Sequence, residues 1–160
     1  MIIIGIGEYG VSADPRETIK TFGLGSCVAV AVFHRPSSVA GLVHVALWNS
    51  RANGQKAREL PGYFADTGIA ALLRQVGEEA GRIHARELEV KIAGGASVFD
   101  PNDVFMIGYR NVLAVKHVLA RFGLAPAASE TGGELSRTVE VHVGKGTMTI
   151  SSPGRENRII

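Results

Sequence analysis

Residues 27–47, CVAVAVFHRPSSVAGLVHVAL, decide the fold because they contain two short apolar runs joined by one turn. The valine-rich run at residues 27–33 is too short for a helix and is typical of a strand. Pro36 and the serines after it favour a turn, since proline cannot continue a strand ladder and serine side chains bond local backbone. Residues 39–47 form the second run, so the sequence predicts an antiparallel hairpin.

The position of the turn sets the register of the hairpin and therefore which side chains share a face. A turn centred on Pro36-Ser37 places Ala29 opposite His44 and Ala46 opposite Cys27. Because alternate residues of a strand share a face, His44 becomes a diagonal neighbour of Cys27, with Cβ atoms roughly 7–8 Å apart or less. A slip of one residue would move His44 to the other face.

The two faces of this hairpin differ in their side chains. The face of Cys27 is otherwise small, which predicts room for a substrate beside the thiol. The opposite face is typical of pure core. Its members are Val28, Val30, Val32, Val43, Val45 and Leu47.

Two amphipathic helices are predicted outside the hairpin. One covers residues 63–80, where apolar residues recur at spacings of three and four, and Gly81 ends it. The other covers residues 108–122, and Gly123 ends it. Further strands are predicted at residues 1–6, 88–93, 138–143 and 147–150.

This order of elements predicts an α+β domain with a mostly antiparallel sheet and helices covering its outer face. The 160 residues suit one compact domain, covering residues 1–160, and the polar tail at 151–160 is expected to fray.

Composition narrows the classes of function. Hydrophobic residues make up 46% of the chain, enough for one sizeable core, and charged residues make up 20%. The net charge is +2 and the basic residues are scattered, so no nucleic-acid groove is indicated. No apolar run approaches the roughly 20 residues that span a bilayer. The single cysteine excludes an intrachain disulfide and favours a reduced, cytoplasmic setting.

The surroundings of Cys27 indicate nucleophilic chemistry. TFGLGSC at residues 21–27 is predicted to be a glycine-punctuated loop that leads into a strand. Glycines let the backbone turn sharply and expose N–H groups, and such groups beside a nucleophile can form an oxyanion hole. Gly25 and Ser26 are therefore candidate oxyanion or cleft-lining residues, and the pairs Gly94-Gly95 and Gly132-Gly133 are predicted to approach the same cleft.

Other interpretations of these residues compete with the catalytic one. A lone buried cysteine is usually a small hydrophobe, and a lone histidine in a strand is more often structural. A redox-sensing thiol is disfavoured because the chain has no resolving cysteine. No two histidines show metal-ligand spacing with a carboxylate, so neither a metal nor a cofactor is predicted.

Several ordered blocks together resemble the chemoreceptor glutamine deamidase family, CheD, along nearly the full length of the chain. The strand around His44 belongs to this set. In the block at residues 130–139, Ser136 occupies the position before the arginine where a small residue is expected. The other matching blocks are IGIGEYGVS (4–12), TFGLGSCVAV (21–30), YFADTGIAAL (63–72), KIAGGASVF (91–99), IGYRNV (107–112) and ETGGELSRTV (130–139).

The resemblance implies a fold and a catalytic triad. The fold is a cysteine-hydrolase fold shared with a bacterial glutamine-deamidating toxin, with a β-sandwich-like core flanked by helices. By motif position, Cys27 is the nucleophile, His44 the general base and Thr21 the group that orients the imidazole. Whether Thr21 acts through its hydroxyl or its backbone carbonyl stays open at this point.

The resemblance also implies a substrate and a partner. The substrate is a glutamine side chain on bacterial chemoreceptors, converted to glutamate with release of ammonia. The partner is CheC, a phosphatase of the chemotaxis response regulator, and the free protein is expected to be a monomer. The alternative function is that of a non-catalytic adaptor that binds CheC and receptors.

Overall fold

The computed structural model describes residues 1–98 and 102–160, so Phe99, the last residue of the block KIAGGASVF, lies outside the described residues. The predicted hairpin is confirmed. Strand β4 (Val28–His34) pairs antiparallel with β5 (Val39–Val45), with Ala29 opposite His44. The register therefore agrees with a turn centred on Pro36-Ser37.

The hairpin lies in the middle of a five-stranded sheet, here called the central sheet, with the order β2-β5-β4-β6-β7. Strand β6 pairs antiparallel with β4, and β7 pairs parallel with β6. Its strands besides the hairpin are β2 (Tyr9–Ser12), β6 (Leu88–Gly94) and β7 (Pro126–Thr131).

A second five-stranded sheet, here called the outer sheet, has the order β1-β3-β8-β9-β10. Strands β1 and β3 pair parallel, and the remaining pairs are antiparallel. Its strands are β1 (Ile2–Ile3), β3 (Thr18–Leu24), β8 (Arg137–His142), β9 (Thr147–Ser151) and β10 (Arg158–Ile159).

Small residues of the hairpin bring the two sheets together. Ala29 and Ala31 are fully buried in one apolar cluster with Ile19, Val139 and Met148 of the outer sheet. The face predicted to leave room for a substrate is therefore filled by the outer sheet, and that prediction is wrong along most of the hairpin. Small side chains there serve close packing of the sheets.

Two helices, α2 (Ala65–Ala80) and α3 (Ile107–Arg121), cover the other face of the central sheet. The short helix α1 (Gly54–Glu59) buries no residue. The valines of the hairpin pack against buried residues of α2 and α3, as their pattern predicted. The fold is thus α+β, with two mixed sheets and helices on one side. No helix within the described ranges is long and apolar enough to cross a membrane.

Three local predictions differ from the structure. The strand predicted at residues 1–6 covers only Ile2–Ile3. The segment predicted to be a loop from Thr21 onward is a strand as far as Leu24, and a register irregularity between these residues accommodates Gly23 at φ 67°. The C-terminal residues are not frayed, because β10 pairs with β9 and Ile160 exchanges two backbone hydrogen bonds with Met148. Apolar side chains of Ile150 and Ile160 in the core account for this pairing.

Candidate active site

Cys27 lies immediately before β4, at the end of the central sheet where several loops meet, and it is partly buried. Its carbonyl oxygen accepts a hydrogen bond of 2.8 Å from the N–H of Gly95. Gly94, at φ 120°, lies so close that a Cβ there would collide with the same carbonyl oxygen. Glycine is therefore required at position 94 for the backbone to approach Cys27.

His44 and Thr21 are joined across the two sheets. Both side chains are fully buried, and 2.7 Å separates His44 Nδ1 from Thr21 Oγ1. Thr21 Oγ1 also donates to the carbonyl oxygen of Ile4 at 2.9 Å. Since a hydroxyl has a single proton to donate, Nδ1 must carry the proton shared with Thr21. This assigns the Nδ1–H tautomer to His44 and leaves its Nε2 with a free lone pair.

The free nitrogen of His44 and the thiol of Cys27 lie on the same side of the central sheet. His44 contacts Thr21 of the outer sheet, and Cys27 packs against the apolar cluster between the sheets. His44 Nε2 is buried and has no hydrogen-bond partner among residues 1–98 and 102–160. A buried acceptor without a partner is costly, so it is a candidate for a role in proton transfer.

Burial sets the charge of both groups. It raises the pKa of the Cys27 thiol above its usual value and lowers the pKa of His44 to about 4. At neutral pH the resting pair is therefore a neutral thiol and a neutral imidazole. Desolvation therefore disfavours a thiolate–imidazolium pair in this resting structure.

The glycine loops meet at Cys27, although not all of them offer free N–H groups. Gly25 donates to the carbonyl of Gly23 at 3.0 Å, and Gly95 donates to that of Cys27. These two N–H groups are occupied, so they shape the cleft and do not form an oxyanion hole. The carbonyl of Gly94 accepts from Gly132 N–H at 2.9 Å, which places both glycine pairs at the same end of the sheet as Cys27.

A cavity of about 180 Å³ opens beside Ser26, the residue before Cys27. Ala96, Val98 and Ile107 give it largely apolar walls, and Ser97 and Asp103 contribute polar groups. Ser97 Oγ donates to Asp103 Oδ2 at 2.6 Å, so these two side chains are ordered relative to each other. The cavity suits a side chain with an apolar stem and a polar end.

Asn111 on α3 is a residue near Cys27 that sequence reasoning missed. It is fully buried, and its Nδ2 donates to the carbonyl oxygens of Ser26 and Ala46. The signal in the sequence was a polar residue within the apolar stripe of a helix. Its block, IGYRNV, was noted without a role for this side chain.

Comparisons with known proteins agree on one family. A family model described as CheD chemotactic sensory transduction matches residues 47–152. A protein of Syntrophotalea carbinolica, named probable chemoreceptor glutamine deamidase CheD, is 47% identical over 154 residues, or 96% of this chain and 95% of the relative. The chain belongs to the CheD family.

Other CheD relatives cover a similar share of the chain. A protein of Thermotoga maritima, named chemoreceptor glutamine deamidase CheD, is 40% identical over 95% of this chain and 92% of its own length. A probable chemoreceptor glutamine deamidase CheD of Solibacter usitatus is 36% identical over 99% and 93%. The similarity to CheD proteins therefore extends over both sheets and all three helices.

The low pKa of His44 predicts an unusual acid limit for any reaction that uses this imidazole as a base. The base is active when neutral, which in the folded protein holds down to about pH 4. We expect kcat/KM to stay level as pH falls through 6.5, the ordinary histidine value, and to drop only near pH 4. A pH–rate profile checks this, and a decline centred near 6.5 would contradict it.

Stability must be followed in the same titration. Below pH 6.5 the unfolded chain protonates His44 while the folded chain does not, so folding weakens as pH falls from 6.5 toward 4. Circular dichroism at each pH separates this loss from titration of the active enzyme.

Proposed function

We propose that this CheD protein is a chemoreceptor glutamine deamidase, with Cys27 as nucleophile, His44 as general base and Thr21 as the residue that orients His44. One observation carries the proposal. Thr21 holds His44 in the Nδ1–H tautomer, which leaves a buried, unpartnered Nε2 on the face shared with Cys27. The names of the curated relatives supply the substrate class.

The proposed reaction starts from a neutral pair. As the sulfur of Cys27 bonds to the amide carbon of a substrate glutamine, its proton passes to His44 Nε2. The carbonyl oxygen becomes an oxyanion, for which the N–H groups of Ser26 and Cys27 are the proposed donors. The imidazolium then gives its proton to the amide nitrogen, the C–N bond breaks, and ammonia leaves.

Hydrolysis completes the cycle without a cofactor. His44 takes a proton from water, and the water oxygen bonds to the thioester carbon. The C–S bond breaks, the thiol regains its proton from His44, and glutamate is released. Thr21 supports both half-reactions because its hydroxyl accepts the Nδ1–H and stabilises the imidazolium.

The cavity beside Ser26 is the proposed site for the substrate side chain. A glutamine has an apolar two-carbon stem and a polar amide, which matches apolar walls of Ala96, Val98 and Ile107 near the polar Ser97. The cavity borders Ser26, the residue before the proposed nucleophile, and we propose that the amide of the substrate reaches the thiol from there. The cavity has a volume of about 180 Å³, and the proposal requires only one substrate side chain to enter it.

Finer aspects of the proposal extend to fold, location and partner. We propose that residues 1–160 form one domain, that its fold is the cysteine-hydrolase fold of glutamine-deamidating toxins, and that it acts in the cytoplasm as a monomer when free. Regulation of the phosphatase CheC is part of the same proposal. The two facing sheets with helices on one side support the fold assignment.

Ammonia release tests the proposed function. A purified cytoplasmic fragment of a chemoreceptor is incubated with the protein, and ammonia is measured by a coupled assay. The Thermotoga maritima relative, named as a deamidase, serves as the positive control. We expect ammonia release that depends on the receptor fragment; a signal from the relative and none from this protein would contradict the proposal and favour the adaptor function.

The role of the Thr21 hydroxyl predicts a specific effect of Thr21→Val. Valine matches threonine in shape but cannot accept the Nδ1–H of His44, so the tautomer is no longer fixed. We expect kcat to fall on the order of tenfold to a hundredfold. Thr21→Ser keeps the hydroxyl and is the matched control, with kcat close to wild type. Equal rates for the valine and serine variants would contradict this role.

A further inference from the structure

Asn111 connects the two strands of the hairpin next to Cys27. Its Nδ2 lies 2.9 Å from the carbonyl oxygen of Ser26 and 2.9 Å from that of Ala46. Ser26 precedes Cys27, and Ala46 faces Cys27 when the β4–β5 register is continued by one pair beyond Val28 and Val45. One side chain therefore ties both strands at the nucleophile.

The contact with Ser26 determines where the Cys27 N–H points. In a trans peptide the C=O and the following N–H point in opposite directions. Asn111 holds the Ser26 C=O toward α3, so the Cys27 N–H is directed away from α3. The carbonyl of Cys27 is held separately by Gly95 N–H, and both peptide groups of Cys27 are thereby fixed.

The other end of the Asn111 amide shows that this arrangement has a cost. Its Oδ1 is buried and has no hydrogen-bond partner in the part of the chain that the structure describes. An apolar side chain of similar shape would remove the unpaired Oδ1 but would leave the carbonyl oxygens of Ser26 and Ala46 without this donor. The two donated hydrogen bonds are the feature that asparagine supplies and leucine does not.

The packing of α3 also determines the position of Asn111. Gly108 lies one helical turn before Asn111 on the same face, and a Cβ at Gly108 would collide with the carbonyl oxygen of Gly95. The helix backbone thus lies directly against the loop that binds the Cys27 carbonyl. This close approach brings the short Asn111 side chain within reach of Ser26.

We propose that Asn111 is a positioning residue that aims the Cys27 N–H at the oxyanion formed during deamidation. The inference rests on the proposed function. It assigns Asn111 to acyl transfer and not to activation of the thiol, because its Nδ2 donates its two hydrogen bonds to backbone carbonyls.

Asn111→Leu separates these two roles. We expect kcat for receptor deamidation to fall on the order of a hundredfold or more, the effect of losing one oxyanion donor, with KM little changed. Alkylation of Cys27 by iodoacetamide needs no oxyanion and should keep its wild-type rate. Asn111→Gln, which retains the NH₂ group one methylene farther out, should give an intermediate kcat and serves as the second variant.

Val115→Ala is the matched control on the same helix. Val115 is fully buried in the core between α3 and the central sheet, so its truncation should lower the melting temperature while kcat stays near wild type. Parallel losses of kcat and alkylation in Asn111→Leu, or a kcat within a few-fold of wild type, would overturn the inference. Absence of deamidation by the wild-type protein would instead contradict the proposed function.

Discussion

Cys27→Ala should abolish deamidation of a receptor fragment, with a loss on the order of 10⁴-fold or more. The reason is that the thioester cannot form without the sulfur, and removal of a covalent nucleophile leaves only binding and residual electrostatic effects. Ammonia release and the masses of receptor peptides are the measurements. The change removes one partly buried sulfur atom, so the melting temperature should change little.

Partner binding provides the control for this variant. The thiol lies at the end of the central sheet, and its removal creates no large cavity, so the proposed docking surface for CheC should be retained. Copurification with CheC should therefore be equal for Cys27→Ala and wild type. Deamidation by Cys27→Ala at the wild-type rate would show that the thiol is structural and would favour the adaptor function.

His44→Asn should lower kcat for deamidation by about 10²- to 10⁴-fold, the range for loss of a general base. Asparagine is the informative replacement because its NH₂ group can take the place of Nδ1–H and donate to Thr21 Oγ1. It retains the buried hydrogen bond to the outer sheet and lacks only Nε2. The melting temperature should therefore stay closer to wild type than in His44→Ala.

The rate of Cys27 alkylation shows whether Cys27 and His44 are neutral or charged at rest, and His44→Asn is again the informative variant. Because His44 is neutral at neutral pH, it offers no cation to stabilise a resting thiolate. Iodoacetamide should therefore react slowly with wild type at pH 7, faster as pH rises toward the elevated pKa of the thiol, and at a similar rate with His44→Asn. A large drop in the alkylation rate of His44→Asn would show a preformed ion pair and contradict this account.

The hairpin was predictable because two strong local signals agree. Proline at the turn and the alternation of valine with small residues set one register, and a slip of one residue would have turned the valines toward the other face of the sheet. That register correctly placed His44 opposite Ala29. The diagonal relation of His44 to Cys27 followed from strand geometry alone.

The surroundings of the hairpin were harder to predict because they depend on long-range pairing. Thr21 lies in β3, where pairing with β8 overrides the glycine that suggested a loop. Strand β7 contains Pro126 at its start and pairs parallel with β6, a pattern without a hairpin signal. The small face of β4 gave no sign of whether a substrate or a second sheet would cover it.

The electrostatics of the site also required the three-dimensional structure. Burial of His44 between two sheets lowers its pKa, and no feature of the local sequence showed that depth. Asn111 was missed for the same reason, since its two carbonyl partners lie 65 and 85 residues away along the chain.

Mass spectrometry of receptor peptides after incubation in ¹⁸O-labelled water tests the central claim most directly. Hydrolysis of a Cys27 thioester inserts one oxygen atom from water, so each modified glutamine should gain about three daltons, against about one in ordinary water. We expect this gain at specific receptor glutamines with wild type and none with Cys27→Ala. Unchanged glutamine masses with wild type, under conditions where the Thermotoga maritima relative produces the gain, would contradict the account.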